Sequence, residues 1–175
     1  MSTLELKELS HPSGEVIKIA AGKTLDLKSQ GSVTMPTGSV LQVVSTTNTR
    51  SQNGGYFLTT TADTWPSSTF ALSITPTSTT SKIYVQITVG AYMTVGPAAL
   101  SIFRGSTNLG GAGRGFIQME GSTAVWRTEH LQYLDSPNTT SEVTYTLHGR
   151  IDSGTLYLSG DGDMKNTFTL MEVSA

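Results

Sequence analysis

The sequence predicts an all-β protein, and three observations carry that prediction. Thr, Ser and Gly together supply 67 of the 175 residues, a composition that favours strands and turns. No window of the chain carries a long apolar stripe of helical period. From Val40 onward, short runs of alternating apolar and polar residues are separated by turn residues. Eight to ten such strands in one domain are typical of a β-sandwich or a jelly roll.

The N-terminal part differs from the rest of the chain in its charge and spacing. Eight of the 24 charged residues lie within the first 28 positions, and Gly recurs at positions 14, 22, 31 and 38. Each Gly is followed by a short apolar group, so the weak repeat of about eight residues gives one strand and one turn per unit. A single chain offers nothing against which to bury the apolar residues of these units, Ile17, Ile19, Leu25 and Leu27.

Partner chains could supply the missing surface. We therefore predict a slender β-stalk made by three copies around one axis, with an extended arm along its own or a neighbouring domain as the alternative. The Pro36–Gly38 turn marks the boundary between the two parts of the chain. Residues 1–37 are predicted to form the arm and stalk, and residues 38–175 a knob domain.

The strands of the predicted knob follow one another with few residues between them. We expect them near 39–46, 56–61, 69–75, 82–95, 98–104, 114–119, 124–134, 142–151, 154–159 and 166–173. The clearest is 82–95, whose odd positions are apolar and whose even positions are mostly polar, as in a half-buried antiparallel strand. Strand 142–151 alternates in the same way. The last two strands are expected to form a hairpin with its tip at 161–163.

Strand 124–134 has apolar residues on both of its faces. Val125, Leu131 and Tyr133 share one face, and Trp126 and Leu134 occupy the other. A strand of this kind often touches two cores, one of which is a subunit interface. This pattern adds to the prediction of a homotrimer.

The composition excludes several classes of function. The chain has no Cys, which removes disulfide scaffolds, thiolate zinc sites and Cys nucleophiles. A net charge of −2 with 14% charged residues argues against nucleic-acid binding. No apolar run approaches the length of a bilayer span, and the N-terminus has no features of an export signal, so we expect neither membrane insertion nor secretion.

Catalytic and metal-binding patterns are also missing from the sequence. Gly22-Lys23-Thr24 lacks the earlier Gly and the helix that a phosphate-binding loop requires. The three His lie far apart in sequence, so no metal-binding spacing is present. The Asp and Glu residues give no pair suited to acid–base catalysis. We therefore predict no catalytic residue, no metal and no cofactor, and hence a protein that is not an enzyme.

Four segments resemble structural proteins of tailed phages, especially fibre and virion-surface proteins of phages of aquatic bacteria. They are ALSITPTSTTSKI at 71–83, LDSPNTT at 134–140, FTLMEV at 168–173 and MPTGSVLQVV at 35–44, the last similar to a stalk-to-knob junction. The resemblance implies a homotrimer that ends in a jelly-roll knob similar to tumour-necrosis-factor-like heads. It also implies a virion-surface location after assembly in the host cytoplasm, with the N-terminal arm bound to other capsid or tail proteins.

The sequence leaves open two roles on a phage particle and one function that does not involve a phage. The knob could contribute to host attachment, or the protein could be a capsid decoration protein that stabilises the shell. The short segment before Gly14 favours decoration, because fibres of this kind carry a longer attachment module. The third possibility is a soluble, monomeric carbohydrate-binding module.

A host surface glycan is the expected receptor in the attachment role. Aromatic rings stack on sugar rings and Arg forms forked hydrogen bonds. The residues predicted to bind the receptor are Arg50, Trp65 and Arg114, which lie in the loops 48–55, 61–68 and 105–115. Trp126, by contrast, is expected to pack in a core.

Overall fold

The computed structural model describes residues 21–22, 35–49, 56–159 and 164–175, and all regular structure in these ranges is β. The all-β prediction is therefore confirmed for this part of the chain. The strands are, in chain order, β1 Val40–Thr49, β2 Leu58–Thr60, β3 Ser67–Ile74, β4 Lys82–Met93, β5 Ala98–Arg104, β6 Thr107–Asn108, β7 Ile117–Met119, β8 Val125–Asp135, β9 Val143–Ile151, β10 Leu156–Leu158 and β11 Lys165–Val173.

The strands form two antiparallel sheets. Sheet A has the order β1-β11-β4-β10-β2, and β8 pairs with the other side of β4. Sheet B has the order β3-β9-β5-β6, and β7 also pairs with β5. The main pairs are nested in sequence, since β1 pairs with β11, β3 with β9, β4 with β8 and β5 with β7.

The core lies between the two sheets and follows the alternation of the sequence. The odd residues of β4, from Ile83 to Met93, are almost completely buried. Leu100 and Ile102 of β5 and Leu147 of β9 are equally buried and belong to the same core cluster. Each such aliphatic side chain contributes roughly 1.5–3 kcal/mol when it is fully removed from water. The predicted β-sandwich is confirmed by this arrangement.

One predicted local structure is wrong. Strands β10 and β11 do not form a hairpin, because each pairs with β4, β11 along residues 82–88 and β10 along residues 91–93. The side chain of Asn166 links the end of β10 to β4 at the point where the pairing with β4 passes from β11 to β10. Its Oδ1 accepts from the Gly90 amide at 2.8 Å, and its Nδ2 donates to the Ser159 carbonyl at 2.9 Å. The predicted tip at 161–163 lies outside the described residues. The short strand β6 was not predicted from the sequence.

The described fold begins slightly earlier than the predicted knob. The chain divides into Met1–Thr34 and Met35–Ala175. The Pro36 carbonyl accepts from Ser174 Oγ at 2.6 Å, and the Gly38 amide donates to the Ser174 carbonyl at 2.9 Å. These bonds tie the Pro36–Gly38 turn to the C-terminal end of the knob. The predicted stalk residues Ile17, Ile19, Leu25 and Leu27 lie outside the described residues.

Candidate interaction surfaces

The outer face of sheet B is covered by the chain's own loops. Trp65 lies over this face, with its ring centroid 6.2 Å from that of Phe103 and the Arg150 guanidinium 5.9 Å above its ring. The indole Nε1 donates to the Ala112 carbonyl at 3.0 Å. His148 stacks on Phe103 with centroids 3.7 Å apart, and its Nδ1 lies 2.9 Å from the Trp65 carbonyl oxygen. Trp65 is therefore half-buried, and its indole N–H has a hydrogen-bond partner.

The Gly-rich loop at 109–115 completes this cover. Asn108 anchors its start, because its Oδ1 accepts from the Gly110 amide and its Nδ2 donates to the Gly111 carbonyl at 2.9 Å. Gly115 has a φ of +60°, and a Cβ there would lie 2.7 Å from the Trp65 ring. Only Gly allows the loop to approach the indole this closely.

A small ionic cluster borders the covered face. Asp152 accepts from Arg114 at 2.8 Å and from Arg150 at 2.7 Å. The hydrogen bonds from Arg114 and then Arg150 hold the pKa of the Asp152 carboxyl below its usual range. The structure thus brings two of the predicted receptor residues, Trp65 and Arg114, to one surface, where both already have partners. The third, Arg50, lies outside the described residues.

The side chains on the outer face of sheet A are exposed or half-buried, and the described residues of this face are nearly free of charge. The strand registers align its side chains in rows across β1, β11, β4 and β8. The rows are Val43–Met171–Tyr84–Leu134, Ser45–Thr169–Gln86–Gln132 and Thr47–Thr167–Thr88–His130. Within the described strands, Lys82 and Lys165 are the only Lys, Arg, Asp or Glu residues on this face, each at the first position of its strand.

The polar side chains of this face bond to one another across the strands. Ser45 Oγ lies 2.9 Å from Thr169 Oγ1, and Tyr84 Oη donates to Gln132 Oε1 at 2.6 Å. Thr88 Oγ1 lies 3.0 Å from His130 Nδ1. Polar groups that already have partners cost less to cover than groups that must give up water.

A row of four aromatic rings crosses one end of the same face. The centroid distances are 4.8 Å for Tyr56–Tyr157, 5.6 Å for Tyr157–Tyr92 and 4.5 Å for Tyr92–Trp126. Trp126 ends the row and is 43% exposed. The expectation that Trp126 packs in a core is therefore wrong, because its side of β8 faces outward from the sandwich. The alternation of the sequence predicts on which side of the strand Trp126 lies, but it does not predict whether another part of the protein covers that side.

Two edge strands of sheet A, β1 and β8, hold most of the large apolar residues that are exposed in the described chain. Strand β8 pairs only with β4, and β1 pairs only with β11 among the described strands. Seven large apolar residues of the described chain are exposed, and five of them lie on these two strands. They are Val40 and Val43 on β1 and Trp126, Tyr133 and Leu134 on β8. Trp126 and Leu134 lie on the outer side of β8, opposite Tyr92 and Tyr84, and the subunit interface predicted for this strand stays a prediction.

The buried carboxylates serve the fold. Asp135 accepts from Arg104 at 2.6 Å and from Tyr145 Oη at 2.7 Å. Glu172 is fully buried and accepts from Gln42 Nε2 and from the amide and hydroxyl of Thr77, each at 2.7 Å. Both carboxylates link separate elements of the sandwich, so their burial is explained by packing and hydrogen bonding.

Within the described ranges, no group of three or more His, Asp or Glu residues is placed to hold a metal ion. A shallow depression of about 500 Å³ is lined by Gly96, Pro97, Glu120, Gly121 and Ser122. Nor does the described part of the chain contain a helix with the length and hydropathy of a membrane span.

Comparison with known proteins adds no assignment. No protein-family model matches the chain, and no curated protein matches it.

Proposed function

We propose that the protein is a trimeric, non-enzymatic component of a phage particle surface. In this proposal residues 1–37 attach it to other virion proteins, and the knob contributes to host attachment. The observation that carries the proposal is the outer face of sheet A, which is long, nearly uncharged and rich in mutually bonded polar groups. The sequence resemblance supplies the phage particle as the setting.

The composition of this face supports self-association. Charged residues are depleted from the centres of protein interfaces, because their desolvation is costly. Sheet A keeps its two Lys at strand starts, while polar pairs such as Tyr84–Gln132 and Thr88–His130 are already satisfied. Exposed Val43 and Leu134 add apolar area that a second copy would remove from water.

The nested strand pairing supports a jelly roll for the knob. When the first strand pairs with the last, the second with the next to last and so on inward, the chain is a long hairpin rolled into two sheets. The four nested pairs described above follow this order. This is the architecture that the resemblance to virion-surface proteins implies.

Two measurements test the proposal. Light scattering of the purified full chain should return about three times the monomer mass of 18.6 kDa, and a monomer at micromolar concentration would overturn the trimer. Labelled protein should appear at the tail of imaged particles, and added protein should compete with particles for host cells. Label on the shell with no such competition would replace attachment by the capsid decoration role.

The aromatic row favours a second candidate, a soluble carbohydrate-binding module. Tyr56, Tyr157, Tyr92 and Trp126 form a rigid apolar strip beside hydroxyl-bearing side chains, which suits the faces of sugar rings. In this case a monomer should bind a neutral polysaccharide, and Trp126→Ala should abolish binding while Trp65→Phe retains it. Absence of binding across a polysaccharide panel would remove this candidate.

A further inference from the structure

We propose that the subunit contact is heterologous, with β8 of one copy lying against β1 of the next, so that three copies close into a ring. This inference rests on the proposed trimer and specifies which surfaces meet in it. The occupant of the β1 edge and of the β8 edge of sheet A is thus a second copy of the same chain.

The distribution of exposed apolar residues is the first argument. Five of the seven exposed large apolar residues in the described chain lie on β1 and β8, at opposite edges of one sheet. Val43 is 55% exposed and Leu134 is 47% exposed. A contact that covered only one edge would leave the other apolar edge in water, whereas a β8-to-β1 contact covers both.

Symmetry is the second argument. A contact of β8 with β8 of another copy is isologous, so it closes as a two-fold dimer and cannot generate three equal subunits. A contact between two different patches is heterologous, and it forms a closed ring when the rotation returns to its start. The two edges of sheet A are such a pair of different patches.

The strand register is the third argument. Val43 pairs with Met171, Met171 with Tyr84 and Tyr84 with Leu134, so Val43 and Leu134 lie at the same level of the sheet. Rotation about an axis parallel to the strands does not change that level. In a ring whose axis is parallel to the strands, Leu134 of one copy therefore meets Val43 of the next.

The direction and chemistry of the edges agree with this contact. Successive antiparallel pairs make β1 and β8 run in opposite directions, so the next copy's β1 would be antiparallel to β8. The described residues of β1 carry no charge, so Arg127 and Glu129 of β8 would meet no like charge there. By contrast, if β8 paired with β8 of another copy around a two-fold axis at Glu129, the two Glu129 carboxylates would lie opposite each other.

Charge reversal tests the inference in the full chain. Val43→Asp and Leu134→Arg should each raise the concentration for half-dissociation at least tenfold, because each buries an unpaired charge in the contact. The double variant should recover most of the wild-type association, since the two new charges meet between copies. Ala71→Asp, a comparable change at an exposed position on sheet B, should leave the trimer intact.

The outcomes separate the inference from the proposed function. A monomeric wild type overturns the proposed trimer itself. A trimer that Leu134→Arg dissociates but Val43→Asp does not, or that the double variant fails to restore, overturns the β8-to-β1 contact alone. Thermal melts of each variant at low concentration establish that the monomer is folded.

Cross-linking gives an independent measurement, because the chain has no Cys. Val43→Cys combined with Leu134→Cys should give covalent trimers on mild oxidation, with each single variant giving none. Covalent dimers from Leu134→Cys alone would indicate the isologous contact and overturn the inference.

Discussion

The two outer faces of the sandwich differ in what covers them. On sheet B, Trp65 and the Gly-rich loop at 109–115 fold back over Phe103 and His148. On sheet A, the rows of Thr, Ser and Gln side chains are exposed or half-buried. The difference comes from the connecting segments, which on sheet B bury Ala99, Ser101 and Phe103 on the outer side of β5.

The two Trp residues show this difference within one residue type. Trp65 has its indole N–H bonded and its ring packed, whereas Trp126 stacks on Tyr92 and keeps 43% of its surface exposed. The Trp that is already covered stabilises the monomer. The uncovered Trp is available to a partner or ligand.

Replacing Trp65 should have the largest effect on stability. Trp65→Ala removes the cover of Phe103 and leaves the Ala112 carbonyl without its donor, so we expect the free energy of unfolding to fall by about 3 kcal/mol. Denaturant titration of the variant and the wild type measures the difference. A loss below about 1 kcal/mol would show that the cover of sheet B contributes little.

Neutralising Glu172 should loosen the β1 edge of sheet A. Burial raises the pKa of Glu172, but hydrogen bonds from Ser81, Gln42 and Thr77 outweigh it and hold the pKa below its usual value of 4.5. Glu172→Gln should cost about 2 kcal/mol, because an amide cannot accept all of these bonds.

The same carboxylate predicts acid sensitivity at low pH. The folded state favours the charged form, so its stabilisation is present above pH 4.5 and is lost as the pH falls below that value. Thermal melts between pH 6 and 3 should show this loss in the wild type. An equal slope in Glu172→Gln would contradict it.

His148 should make the cover of sheet B sensitive to milder acid. Burial lowers the pKa of His148 below its usual value of 6.5, and the bond to the Trp65 carbonyl offsets this only in part. The folded state therefore favours the neutral ring, so stability is present above pH 6.5 and falls as the pH drops below it. His148→Asn should flatten the decline in thermal midpoint between pH 7.5 and 5.5. If the thermal midpoint of the variant declines as steeply as that of the wild type, the pH dependence does not come from His148.

Trp126→Ala should change folding little and weaken association moderately, because Trp126 lies level with Tyr92 and Tyr157, just beyond the described end of β1. Its ring lies outside the core, so we expect less than about 1 kcal/mol of lost monomer stability. Light scattering across a dilution series should show weaker self-association, with Trp65→Phe as the matched control. Unchanged association would place the contact away from the aromatic row.

Arg114→Ala should have the smallest effect. Its ion pair with Asp152 is largely exposed to solvent, and such pairs contribute little to stability. Arg150 also holds Asp152 and remains in place. The thermal midpoint should therefore change little, while a receptor role for Arg114 would appear as reduced adsorption to host cells.

The sequence by itself determined every described strand except β6, and it determined the sides of the strands whose residues alternate clearly. Alternation in 82–95 placed Ile83 to Met93 in the core, and the pattern of 124–134 put apolar residues on both faces of that strand. These features are local, because a side chain's direction in a strand follows from a two-residue period. The predicted stalk and the attachment role remain predictions.

Only the tertiary structure decided which outward side chains are covered. Trp65 and Trp126 both lie outside the central core, yet one meets the loop at 109–115 and the other meets solvent. It likewise decided that β10 and β11 both pair with β4, so that the expected hairpin does not form. These outcomes depend on contacts between residues far apart in sequence, which local periodicity does not encode.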